Sequence, residues 1–112
     1  MLYTKDVTLT TTALTSLFTV PSGFVAHVTD IALANHSGST KGLTLYWDKA
    51  TGTDFYFYDD VNISDGALSL LDVSIILQPG DQIQAQLDAA GDFGIAVTFD
   101  LYPQPQQLVA FN

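Results

Sequence analysis

At 112 residues the chain has room for one domain with one modest hydrophobic core. Its 47% hydrophobic content excludes a disordered polar chain, and its 13% charged content, against roughly 25% in ordinary folded domains, describes a surface that buries part of itself against neighbours. A net charge of -9, built from 12 aspartates against Lys5, Lys41 and Lys49 with no arginine or glutamate, excludes a nucleic-acid partner, and the lack of cysteine excludes disulfides and thiol catalysis.

In chain order, Met1 to Asp6 lacks the basic start and long apolar run of a signal peptide, and no segment reaches the length of a bilayer span. The expectation is cytoplasmic synthesis and no membrane partner. Val7 to Thr10 and Leu14 to Val20 read as short strands, the second closed by the turn Pro21-Ser22-Gly23. Phe24 to Asn35 reads as a long strand in which Val25, Val28, Ile31 and Leu33 cannot share one face unless a bulge or bend shifts the phase. Ser37 to Gly42 is the most flexible stretch by composition.

Leu43, Leu45 and Trp47 then alternate with polar neighbours, and Lys49 to Gly52 turns the chain into a strand from Asp54 to Ile63. Strict alternation there places Phe55, Phe57, Val61 and Ile63 on one side and Tyr56 and Tyr58 on the other. Tyrosine offers apolar area and a hydroxyl at once, so Tyr56 and Tyr58 are candidate interface residues, with capping of the sandwich edge as the alternative. Leu68 to Leu77 follows with Leu71, Val73, Ile75 and Leu77 in phase. Pro79-Gly80 suits a type II turn, and Asp81 to Asp88 and Phe93 to Leu101 alternate cleanly, joined by Ala89 to Asp92 as a hairpin connection.

The predicted architecture is therefore all-β: a single antiparallel β-sandwich of jelly-roll type with about eight strands, occupying residues 1–102. Residues 103–112 differ. Pro103 and Pro105 with the intervening glutamines favour an extended path, and Leu108, Val109 and Phe111 make its tip apolar. Such an arm reaches on the order of 30 Å and would clasp a neighbouring subunit, unless it folds back on its own sheet.

Catalytic chemistry finds no foothold. His27 and His36 are the only imidazoles, nine positions apart, and supply no metal ligand set. No Gly-x-Ser-x-Gly elbow exposes a serine, and the adjacent carboxylates Asp59 and Asp60 point to opposite faces of a strand. Asp60 to Gly66 alternates oxygen ligands as a calcium loop does, but its glycine falls one place late and the closing glutamate is missing. No glycine-rich phosphate loop precedes a helix. The expectation is a protein with no catalytic, cofactor or metal site and no enzymatic activity.

Two stretches carry a family resemblance. The run Leu9 to Ala13 and Phe18 to Pro21, continued by Val28 to Asn35, resembles the start of small β-sandwich structural proteins of tailed bacteriophages. Leu77-Gln78-Pro79-Gly80-Asp81-Gln82-Ile83 and Ile95 to Phe99 resemble their later strands, so the similarity extends to Tyr102. The resemblance implies a virion component with no catalytic residues: a head decoration or cement protein seated on the major capsid protein, or an accessory piece of a tail or fibre. It further implies a homo-oligomer, a trimer being favoured. A different class of function is a carbohydrate-binding module using Trp47, Tyr46, Tyr56 and Tyr58 as a stacking platform, which requires those rings to be exposed together.

Overall fold

A computed structural model describes residues 2–104 of the chain. Eight strands form: β1 (Leu2–Leu9), β2 (Thr15–Thr19), β3 (Phe24–Asn35), β4 (Lys41–Asp48), β5 (Phe55–Ile63), β6 (Leu68–Leu77), β7 (Gln82–Leu87) and β8 (Phe93–Pro103). They make two four-stranded antiparallel sheets with orders β1-β8-β3-β6 and β2-β7-β4-β5. Every connection crosses between sheets except the β4–β5 hairpin, and this double wrapping is the eight-stranded jelly roll.

The connection through Ala89 to Asp92 is one of those crossings rather than a hairpin. Alternation fixes which face of a strand is buried but not which strand lies beside it. β7 finds its partners in β2 and β4, and β8 finds its own in β1 and β3.

The core lies between the sheets. From β8 it receives Phe93, Ile95, Val97 and Phe99, from β7 Ile83, Ala85 and Leu87, and from β4 Leu43 and Leu45. Fully burying each leucine or isoleucine is worth about 1.5–3 kcal/mol relative to exposure. β3 keeps its apolar residues inside by changing phase once: Ala26 and Val28 face inward before Thr29, and Ile31 and Leu33 after it. Val28 lies opposite Phe99 and Asp30 opposite Thr98, so Thr29 is the extra residue of a bulge, and the expected phase shift is located.

The two turn motifs that frame the domain meet in space. Val20 N–H donates to the carbonyl of Asp81 at 2.9 Å, and Gly80 N–H donates to the carbonyl of Val20 at 3.0 Å. Gly80, with φ of 87°, occupies the left-handed position that the Pro79-Gly80 turn requires. Two stretches are better held than composition implied. The Asn35 amide, buried at the end of β3, donates to the carbonyls of Ser39 and Ile63, while its oxygen accepts from the backbone and hydroxyl of Ser37. The Ser37–Thr40 loop is thereby clasped to the sandwich. Pro103 is the last residue of β8, opposite Phe24, and Asp100 is the last β8 residue that pairs with β1 among the described residues.

Candidate functional site

The residues that catalysis would need are not gathered. His27 stands on the outer face of β3 with Nε2 2.9 Å from Ser74 Oγ, and His36 is exposed just beyond β3, its backbone N–H bonded to the carbonyl of Asp92. Among the described residues no three His, Cys, Asp or Glu side chains are placed to hold a metal ion. Asp60 has φ of 53°, and its backbone N–H donates to Thr44 Oγ1, so this carboxylate belongs to an irregular strand edge.

The aromatic hairpin departs from simple alternation. Pairing of β5 with β4 shifts twice, between the Leu43–Val61 and Leu45–Tyr58 pairs and again before Tyr46–Tyr56. Tyr56 consequently points out of the second sheet, 50% exposed, and stacks on Tyr46 at 4.9 Å. Tyr58 is half-buried and packs against the core together with Phe57. Phe55 is exposed and meets Trp47 at 6.3 Å and Phe57 at 5.6 Å. Trp47 is half-buried, with its indole N–H donated to Asp81 and Lys49 Nζ 4.6 Å above its ring. Of the four rings proposed as a platform, the fold brings only Tyr46 and Tyr56 together on the outside.

That outer face of the second sheet is otherwise a ladder of amides. Tyr46 Oη donates to Gln84 Oε1 at 2.5 Å, Gln84 Nε2 to Gln82 Oε1 at 3.3 Å, and Gln86 Nε2 to the carbonyl of Thr12 at 2.9 Å. Burial, then the charges of Asp48 and Asp54 and the neighbouring Tyr56, push the Tyr46 phenol above its ordinary pKa. Asp48 is also raised above the usual carboxylate range, first by desolvation, then by a hydrogen bond and repulsion from Asp54 and by the charge of Asp81. The surface is polar and internally bonded.

The outer face of the first sheet has another character, which alternation in the sequence did not single out. Leu68 is 77% exposed, Leu70 67% and Ile76 48%, all on edge strand β6. Cross-strand register continues Leu68 into Ala34 and Gly94, and Leu70 into Ala32 and Ala96. A groove of about 300 Å³ results, floored by these small residues and walled by Leu68 on one side and Asp6 on the other. A signal for it was present: Leu68, Leu70 and Ile76 are apolar in the phase opposite to Leu71, Val73, Ile75 and Leu77, so β6 is hydrophobic on both faces. Of the arm residues, Pro103 ends β8 and is exposed, whereas Pro105, Leu108, Val109 and Phe111 lie outside the described residues.

No protein-family model matches the chain, and no curated protein matches it in sequence. Among solved structures it is similar to a subunit from the Bacillus endospore appendages that form disulfide-linked pili, with 12% identity over 93% of this chain and 89% of that one, at a TM-score of 0.52. The VP2 subviral particle of infectious bursal disease virus gives 13% identity and a TM-score of 0.45, covering 88% of this chain but 32% of that one. A family 16 carbohydrate-binding module gives 9% identity and 0.33, covering 85% and 74%. The first of these likenesses shows a shared sandwich fold. Function therefore rests on the residues of this chain.

Proposed function

We propose that this protein is a non-enzymatic structural component of a virion, a decoration or cement protein that binds and stabilises the major capsid shell. The observation that carries the reading is the row of exposed apolar side chains on β6 beside a groove floored by alanine and glycine. Exposed apolar area of this kind, on a chain with so few charges, marks a surface made to be covered by another protein. The phage-like segments supply the setting, and many copies each making modest contacts would reinforce a shell without any catalytic group. Self-association as a trimer and an arm beyond Pro103, with the exposed Tyr56 at the contacts, belong to the same proposal.

The test is binding of the purified chain to heads and tails isolated separately from the virus that encodes it. Saturable cosedimentation with tailless heads is expected. Binding to tails alone would move the protein to the alternative role of a tail or fibre accessory, and binding to neither would overturn the virion reading. A second reading, carbohydrate binding, is favoured by one observation, the exposed Tyr46–Tyr56 pair beside the Gln82–Gln84 amides. Glycan-array binding that is lost in Tyr56→Ala would establish it.

A further inference from the structure

We propose that the outer face of the β1-β8-β3-β6 sheet docks an extended segment of a partner protein, one that carries an apolar residue followed two to four positions later by lysine or arginine. The proposal rests on the partner-binding reading above and gives the docking segment its chemistry. Two independent features of the face define it, one apolar and one charged.

The apolar half is the groove. Its floor is low because Gly94, Ala34, Ala32 and Ala96 carry little or no side chain. At Gly94 the fold does not demand glycine: a Cβ there would meet nothing nearer than the Ala34 carbonyl oxygen at 3.9 Å, and its φ is not in the left-handed region. A β-branched residue would suit the strand better. What glycine does at this position is keep the groove deep enough for another side chain.

The charged half begins one row further along the strands. Asp30 and Asp72 are directly opposite each other in register, and Asp100 follows opposite His27. Like charges in directly opposed positions destabilise a sheet, so the Asp30–Asp72 pair costs the free protein something that an incoming cation would relieve. None of the three lysines brings that cation to Asp30 and Asp72. Lys41 is buried, Lys49 sits over the Trp47 ring, and Lys5 is opposite Val97, in the phase that faces away from this surface. Among the described residues the basic side chain on this face is His27, which is engaged with Ser74.

Spacing joins the two halves. Residues on one face of an extended strand repeat about every 6.6 Å. The acidic row at Asp30 is therefore two residues from the Leu70–Ala32–Ala96 row and four from the Leu68–Ala34–Gly94 row, counted along β3. An extended segment with an apolar side chain in the groove places its basic side chain over Asp30 and Asp72. A second copy of this chain, rich in aspartate and short of lysine, fits the face poorly.

The experiment uses isotope-labelled full-length protein and two short synthetic peptides, one with alternating leucines then alternating lysines, the other with aspartate in place of lysine. The lysine peptide should shift backbone amides of β8, β3 and β6, and raising salt from about 0.05 to 0.3 M should weaken it several-fold. The Asp30→Asn/Asp72→Asn double variant should weaken it about tenfold, and Gly94→Val should weaken it at least about fivefold while melting no lower than wild type. Equal affinity for the aspartate peptide, shifts centred on Tyr46 and Tyr56, or no effect of Gly94→Val would overturn the proposal. So would a concentration-dependent dimer abolished by Gly94→Val, which would give the face to a second copy. Heads bound equally well by Gly94→Val would sink this inference and leave the virion role standing. Peptide docking by a protein that binds neither heads nor tails would do the reverse.

Discussion

The indole N–H of Trp47 is donated to Asp81 Oδ2 at 3.0 Å, tying the end of β4 to the turn before β7. The same buried carboxylate accepts the backbone N–H groups of Ala50 at 2.8 Å and Gln78 at 2.9 Å, so one side chain holds two turns and a ring. Removing it strands three donors. Asp81→Ala is expected to lower unfolding free energy by about 2–4 kcal/mol, and Trp47→Phe, which removes one donor and keeps most of the ring, by about 1 kcal/mol. Urea denaturation followed by circular dichroism measures both, and a loss under about 1 kcal/mol for Asp81→Ala would contradict this role.

Asn35 has a parallel duty at the opposite end of its strand. Its amide satisfies two carbonyls and its oxygen two donors of Ser37, so Asn35→Ala is expected to cost about 2–3 kcal/mol. Hydrogen exchange should accelerate at Ser37, whose backbone N–H loses its acceptor. Asn35→Ala with unchanged exchange there would show that the loop is held by something else.

Asp48 sets a pH dependence whose sign follows from its raised pKa. In the window between the ordinary carboxylate pKa and the raised one, the folded state binds more protons than the unfolded state. Stability from this group is therefore greatest at acid pH and falls as pH rises through that window. Asp48→Asn should melt about 1–3 °C above wild type at pH 7, a modest gain because the site is partly open to solvent, and the difference should vanish near pH 3. Scanning calorimetry across that range decides it, and a gain that persists undiminished at pH 3 would exclude the carboxylate repulsion.

Two leucines on the first sheet separate folding from association. Leu33 is fully buried, and Leu33→Ala should cost about 2–5 kcal/mol through lost burial and a cavity. Leu70 is 67% exposed, so Leu70→Ser should change stability by no more than about 0.5 kcal/mol. Paired denaturation curves provide the comparison. A large loss for Leu70→Ser would mean that the row on β6 serves the fold.

Gly80 carries a cost of a different kind. A Cβ at its φ of 87° would lie 3.3 Å from the Ala50 methyl, and Gly80→Ala should lose about 1–2 kcal/mol by thermal or urea melting. A variant as stable as wild type would show that the turn can adopt another shape.

Strand count, the bulge in β3 and the turn at Pro79-Gly80 were legible because each is a local matter of side-chain phase or backbone dihedral. Pairing was not. The segments on either side of Ala89 to Asp92 alternate as a hairpin would, and only the competition among all eight strands assigns them to different sheets. Alternation counts residues and so sets Tyr56 and Tyr58 on one face, whereas the register shifts within β5 leave one outside and the other against the core. The groove was hidden for a related reason. Gly94, Ala96, Ala32 and Ala34 look like weak strand residues until register puts them side by side, and Leu68 and Leu70 lie in the phase that β6 turns outward, beside them.

Thr29 has a consequence larger than its size. Because it is the one residue of β3 without an opposite number in β8, the bulge absorbs it, and Ile31 and Leu33 turn inward while Ala32 and Ala34 turn out although a straight count from Val28 gives the reverse. Straightening the bulge with Thr29 still present would reverse the second half of the longest strand, driving alanines into the interior and two large aliphatic groups onto the groove floor, whereas a frame-preserving loss of the Thr29 codon leaves Val28 in, Asp30 out and Ile31 in. Gene variants along this stretch should therefore accept the loss of one residue at Thr29 yet reject it at Ala32, where it would turn Leu33 outward.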